Sequence, residues 1–221
     1  MNAKKIVVVG AGGFAREVKW LIEEISSYSN STQKYEFIGY VVSDANSLSE
    51  TDSKNGLLGN LGWLEKNKSC FDCIAIGIGS PSARITIANQ LEDEFGSEYW
   101  PALIHPSVRL DEKSCRISHG VIICANCVGT VNLDIQPFAL VNLSCTVGHE
   151  TVIGRGSVLN PTVNISGGVS VGEGVLIGTG AQVLQYLDIG MNSTVGAGAV
   201  VTKNVPVGTT VVGCPAKPLH R

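Results

Sequence analysis

From residue 135 onward every sixth residue is aliphatic: Ile135, Val141, Val147, Ile153, Leu159, Ile165, Val171, Ile177, Val183, Ile189, Val195, Val201 and Val207. Chance does not produce that register. Glycine often follows, at Gly148, Gly154, Gly172, Gly178, Gly190, Gly196 and Gly208. Four positions after the aliphatic stands a smaller or β-branched residue, such as Thr151, Ser157, Val163, Val175, Ala181, Ser193 or Ala199. Such a period is the signature of a parallel β-helix, in which three short strands make one triangular coil of about eighteen residues and the aliphatics point into the prism. A single coil leaves both strand edges unpaired, so it is stable only when stacked on the next. Each inward aliphatic contributes roughly 1.5–3 kcal/mol, and the glycines serve corners that need positive φ. The period leaves the hand of the coil open, and the general rule for β-crossovers favours right.

The first hundred or so residues follow a different grammar. Lys5 to Val9 is a short apolar strand, and Glu17 to Ile25 carries Val18, Leu21, Ile22 and Ile25 at helical spacing. Further strands are predicted at Glu36 to Val42 and Cys73 to Ile78, with Ser80 as the N-cap and Pro81 as the first residue of a helix reaching about Leu91. Tyr99 to Ile104 reads as a last strand leading out. The fold class that follows is a small Rossmann-like parallel α/β domain, residues 1–103, before a parallel β-helix of hexapeptide repeats, residues 104–221.

A hydrophobic fraction of 44% supplies a core for both parts, and a net charge of −3 without any run of Lys or Arg argues against a nucleic-acid or membrane-surface partner. The apolar stretch Ile6 to Val9 is too short for a signal-peptide core, and no segment is long enough for membrane insertion. Seven cysteines include two Cys-x-x-Cys pairs, Cys70/Cys73 and Cys124/Cys127. They permit a four-thiolate zinc site, but Cys127 and Cys145 fall in the phase of the repeat and read as buried small residues, so no metal is expected. An odd count without a secretion signal fits a reducing cytoplasm.

Between the first strand and the first helix lies Gly10-Ala11-Gly12-Gly13-Phe14-Ala15, a Gly-x-Gly-x-x-Ala turn. Small residues let the backbone approach a phosphate, which the free N–H groups of the helix start then bind. Asp44 after the second strand and Gly77, Gly79 and Ser80 after the third lie where a doubly wound sheet presents ligands, here base and ribose. A dinucleotide dehydrogenase would need a second βαβαβ half. Glycines that merely permit tight packing are the plain structural alternative.

With these motifs in place, the chain resembles the bacterial sugar O-acyltransferases of the sialic-acid and bacillosamine pathways, which include nucleotide-4-amino-sugar N-acetyltransferases. The likeness rests on Val-Gly-Ala-Gly-Gly near the start, Ala-Ile-Gly at 75–77, Ile-His-Pro-Ser at 104–107, Gly-His-Glu at 148–150 and Gly-Cys-Pro-Ala-Lys at 213–217. The resemblance implies a left-handed coil, acetyl-CoA as co-substrate, a nucleotide-linked amino sugar as acceptor and a homotrimer whose neighbouring β-helices share a CoA groove. It gives Gly167 a thioester-polarising amide; Gly180, Ala197 and Lys203 are further candidates for CoA contacts by their location in the later coils. Bacillosamine-type members carry His where this chain has Phe14, so a polar contact to the sugar is lost there.

Acetyl transfer to an amine needs a base, and histidine suits that task near neutral pH. His220 lies at the tail, His105 at the junction before Pro106, and His119 is expected on an exposed corner before the repeat settles. His149 follows the inward Val147 by two positions and should project outward beside Glu150. From the residues alone it is either a base oriented by a carboxylate or a solvated corner. The match of Gly-His-Glu to the family's general-base motif implies the first. A hexapeptide carbonic anhydrase would need three histidines brought together, whereas His119 and His149 are thirty residues apart, not a multiple of eighteen. O-acetylation of a free sialic acid, or a non-catalytic trimeric nucleotide-sugar module, would carry the same architecture.

Overall fold

The computed structural model describes residues 3–29, 33–44, 48 and 52–219. The first part runs β1 (Lys4–Val9), α1 (Gly13–Ser27), β2 (Tyr35–Val42), β3 (Leu57–Asn60), α2 (Gly62–Lys66), β4 (Cys73–Ile76) and α3 (Pro81–Leu91). Its four strands form one parallel sheet in the order β3-β2-β1-β4. The central β1 is continuously apolar because Ile6, Val7, Val8 and Val9 are covered on both faces.

Several boundaries differ from the sequence reading. α1 begins at Gly13 rather than Glu17, so the glycine turn is itself the helix start. β3 and α2 carry no strong period and escaped it. β4 stops at Ile76, and the side chain of Ser80 does not cap α3: its hydroxyl lies 3.1 Å from that of Ser82. Tyr99 to Ile104 is not one strand. Ser97–Tyr99 is a 3₁₀ turn, and Trp100 is buried with its indole N–H donating to the Phe95 carbonyl at 3.0 Å. Only Leu103–Ile104 is extended, and it pairs with Ile122–Ile123 of the second part.

That second part is a left-handed β-helix of short strands, nearly all of two residues, in three sheets that are parallel except at the end, where Lys217–Pro218 pairs antiparallel with Thr210–Val212. Face one begins with Leu103–Ile104 and includes Ile122–Ile123, Leu140–Val141, Val158–Leu159 and Leu176–Ile177. Face two runs from Val128–Gly129 through Thr146–Val147 to Val200–Val201, and face three from Arg116–Ile117 through Val152–Ile153 to Asp188–Ile189. Partners eighteen residues apart pair in register, as Thr146 with Asn164 and Val147 with Ile165. The repeat aliphatics from Ile135 to Val201 are buried, as are Thr151, Ser157, Cys127 and Cys145 at the corners. Val207 is the exception, 64% exposed. The last coil is two residues short, with Val195 paired to Val211, and Val205 bridges Ile189 and enters the prism in place of Val207.

The α/β part lies on face one. Val18, Leu21, Ile22 and Ile25 of α1 share a buried cluster with Leu103, Ile122, Leu140 and Val158, whose side chains point outward from that face. α3 adds polar fastenings. The fully buried Arg84 donates to the carbonyls of Ile76 (2.9 Å), Ile78 (2.8 Å) and, through Nε and Nη2, of Phe138 at the corner between faces three and one (3.0 and 2.9 Å). Burial lowers its pKa to about 10, so it remains a cation at neutral pH. At the same corner Glu92 accepts from His119 (2.7 Å) and Arg155 (2.8 Å), and the Arg155 guanidinium lies 4.9 Å from the centre of the Phe138 ring.

Candidate active site

The corner between faces two and three carries Gly148-His149-Glu150-Thr151. Val147 and Thr151 are buried and anchor it, which turns His149 and Glu150 outward. Glu150 has φ of 56°, a left-handed corner conformation. It brings the carboxylate back to His149, with Nδ1 to Oε2 at 2.5 Å. A carboxylate only accepts, so the imidazole proton sits on Nδ1 and Nε2 carries the lone pair. Hydrogen bonds from His149 and then from Asn132 (Nδ2 to Oε1, 3.4 Å) hold the Glu150 carboxyl below its ordinary pKa. Asn132 was missed by the sequence reading, although it stands eighteen residues before Glu150 and coil arithmetic stacks the two.

One coil on, Gly167 lies against the ring: a Cβ there would collide with the His149 imidazole. Gly168 N–H donates to the His149 carbonyl at 2.7 Å, while Gly167 N–H donates to no group among the described residues. A lone pair and an unused amide therefore sit side by side. That pair can take a proton from an attacking group and hold the oxyanion that attack creates.

The other expected CoA contacts are spread out. Lys203 lies on the His149 corner, further along the stack, whereas Gly180 and Ala197 sit on the corner between faces one and two. Within one chain they do not meet His149. Nor does the glycine turn: the α/β part covers face one, and the His149 corner is the one opposite.

In the turn, the glycines divide by cause. A side chain on Gly10, at φ 112°, would strike the Gly77 carbonyl, and one on Gly77 would strike Val8 and Ala15, so the bareness of these two serves the fold. Ala15 is buried and offers a ligand only its main chain. Gly12 has φ of −76° and a Cβ there would meet nothing nearer than the Asp52 carboxylate at 3.5 Å; Gly13 and Gly79 are open. Their bareness is not required by packing, and the N–H groups opening α1 have no helical partner. Phe14 is half-buried against the core, and Asp44 is exposed just beyond β2. Beside the turn, α1, β2 and residues 52–55 enclose a cleft of about 580 Å³ whose walls include Arg16, Lys19 and Lys54. These cations are scattered in the sequence and gave no motif there.

Two of the other histidines, His105 and His119, are structural. Ser107 N–H donates to Nδ1 of His105 at 3.0 Å, leaving Nε2–H to donate to Glu24 at 3.1 Å. His119 is not an exposed corner residue as expected, because Glu92 and the Phe138 ring hold it at the interface of the two parts. His220 lies outside the described residues. Among those residues no group of three or more His, Cys, Asp or Glu is placed to hold a metal ion.

Comparison with known proteins adds independent findings. The family model described as the PglD N-terminal domain matches residues 5–91. The acetyltransferase domain of PglB from Neisseria gonorrhoeae, solved in complex with acetyl coenzyme A, superposes with a TM-score of 0.83 at 28% identity, covering 99% of this chain and 100% of that one. A mutant perosamine N-acetyltransferase from Caulobacter crescentus, solved with CoA and GDP-perosamine, gives 0.86 at 25% identity, with 98% and 97% covered. WeeI from Acinetobacter baumannii gives 0.77 at 31% identity, with 97% and 99% covered. Among curated sequences, a UDP-3-O-acylglucosamine N-acyltransferase from a Caulobacter species is 44% identical over 75 residues, which is 34% of this chain and 22% of that protein. The chain thus spans about a fifth of the length of this curated relative.

Proposed function

Because the chain belongs to the nucleotide-amino-sugar N-acetyltransferases of the hexapeptide family, we propose that it transfers acetyl from acetyl-CoA to the 4-amino group of a nucleotide-linked 4-amino-4,6-dideoxy sugar. The observation that carries this reading is the juxtaposition of His149 Nε2 with the unused Gly167 N–H. The sugar amine attacks the thioester carbonyl while Nε2 takes a proton from its nitrogen, and the carbonyl oxygen gathers negative charge beside the Gly167 amide. The C–S bond then breaks, and the imidazolium returns its proton to the leaving thiolate. Glu150 keeps Nδ1 protonated and the ring in place throughout, the orienting part of a triad.

The nucleotide is assigned to residues 1–103, at Gly12, Gly13, Gly79, Ser80 and Asp44, and the chemistry to 104–221. Since the α/β part lies opposite its own His149 corner, sugar and base meet only if they come from different copies. A homotrimer supplies that arrangement, and face two suits the contact. Its outward residues Val128, Thr146, Asn164, Gln182 and Val200 carry no charge, whereas face three presents Arg116, Asp134 and Asp188. Gly180 and Ala197 of one copy would then face Gly167 and Lys203 of the next across a CoA groove. The reading places the enzyme in the cytoplasm, where acetyl-CoA is made, and its seven free thiols fit that compartment.

A thiol-release assay with acetyl-CoA and UDP-, dTDP- and GDP-linked 4-amino sugars tests the reading. Turnover with one of them is the expected result. Acetylation of free sialic acid alone would replace it with O-acetyl transfer, and tight nucleotide binding without turnover would leave a binding module.

A further inference from the structure

Eight non-glycine residues among those described hold left-handed corner conformations, and half are Asn or Ser, whose small polar side chains tolerate it. The larger ones have visible reasons. Phe138 is fully buried, Glu150 bonds His149, and Thr162 donates to the neighbouring Pro161 carbonyl at 2.6 Å. Tyr186, at φ 58°, has none: it is 71% exposed, and its hydroxyl has no hydrogen bond to the described residues. An aromatic ring in a strained conformation facing solvent points to a contact made only in a complex.

Its position says with what. Tyr186 N–H donates to the Gly167 carbonyl at 3.0 Å, and a Cβ on Gly168 would collide with the Tyr186 ring. His149 and Tyr186 therefore close on the Gly167-Gly168 pair from opposite sides along the stack. An amine that gives its proton to His149 approaches a carbonyl held at Gly167 from the His149 side. The thioester sulfur and the arm it carries leave by the other, where the Tyr186 ring stands.

We propose that Tyr186 is the wall against which the pantetheine arm of acetyl-CoA packs, a donor-binding residue of the site. The assignment rests on the acetyl-transfer reading above. Methylenes and geminal methyls of the arm match a ring face. The ring, not the hydroxyl, makes the contact.

Calorimetry with CoA on the full-length protein separates the possibilities, using wild type, Tyr186→Asn and Tyr186→Phe. Asn suits the left-handed corner, so folding is retained. The expected result is a CoA dissociation constant raised about tenfold by Asn and nearly unchanged by Phe, with KM for acetyl-CoA following it. KM for the sugar nucleotide and the oligomeric size should stay as in wild type. Wild-type CoA affinity in Tyr186→Asn would overturn the assignment, as would a loss confined to sugar-nucleotide affinity or to assembly. A wild-type protein that bound no CoA would instead overturn acetyl transfer itself, and the assignment with it.

Discussion

At the level of single residues, the pairing of His149 with Glu150 was only half legible. The phase of the repeat turns His149 outward, but neighbours in sequence need not touch, and it is the left-handed φ of Glu150 that brings its carboxylate to Nδ1. His149→Ala should lower kcat by about two to four orders of magnitude, the usual range for losing a general base, while calorimetry shows sugar-nucleotide binding little changed. Glu150→Gln should cost less, because the imidazole remains and only its orientation and basicity suffer. Near-normal turnover in His149→Ala would assign the proton to another group. Gly12 was legible as a motif, but its separation from Gly10 and Gly77 was not, since that depends on which chain segments pass within contact. As Gly12 has ordinary φ and open space, Gly12→Val should fold normally and raise KM for the sugar nucleotide more than it lowers kcat, a split that steady-state kinetics reads directly.

Among elements, α3 is the one whose importance the sequence concealed. Ser80-Pro81 announces a helix start in the sequence, but the carbonyls that Arg84 binds come from the end of β4, from Ile78 just beyond it and from a β-helix corner fifty-four residues away, and no local pattern joins them. Arg84→Met should leave those buried carbonyls unsatisfied and destabilise the protein by about 3 kcal/mol, read as a lowered denaturation midpoint. Glu92 offers a pH test. Burial raises its pKa, but hydrogen bonds from Arg155 and His119 outweigh this and the carboxyl is held below its ordinary value. Its contribution is therefore present above the unfolded carboxylate pKa and lost as pH falls through the lowered folded value. Thermal unfolding should show Glu92→Gln losing stability relative to wild type at pH 7, with the gap closing below about pH 4. The hexapeptide register, by contrast, was readable because one period repeats over many coils, and it failed only at Val207, where a coil two residues short breaks it.

For the whole molecule, the claim that joins fold to function is that the base and the sugar nucleotide come from different copies. It follows from the α/β part lying on face one with His149 on the opposite corner, and the sequence could not give it, because the period does not say which face another domain covers. Mixed assembly tests it most directly. His149→Ala and Gly12→Val chains are co-refolded in equal amounts and assayed for thiol release at a sugar-nucleotide concentration far below the KM of the Gly12→Val form. If each cleft takes its base from one chain and its nucleotide site from the next, random mixing into trimers makes roughly one cleft in four intact. Two nearly inactive proteins should then recover about a quarter of wild-type activity. Activity no higher than the average of the two variants assayed separately would mean that each chain carries its own complete site, and would contradict the shared cleft.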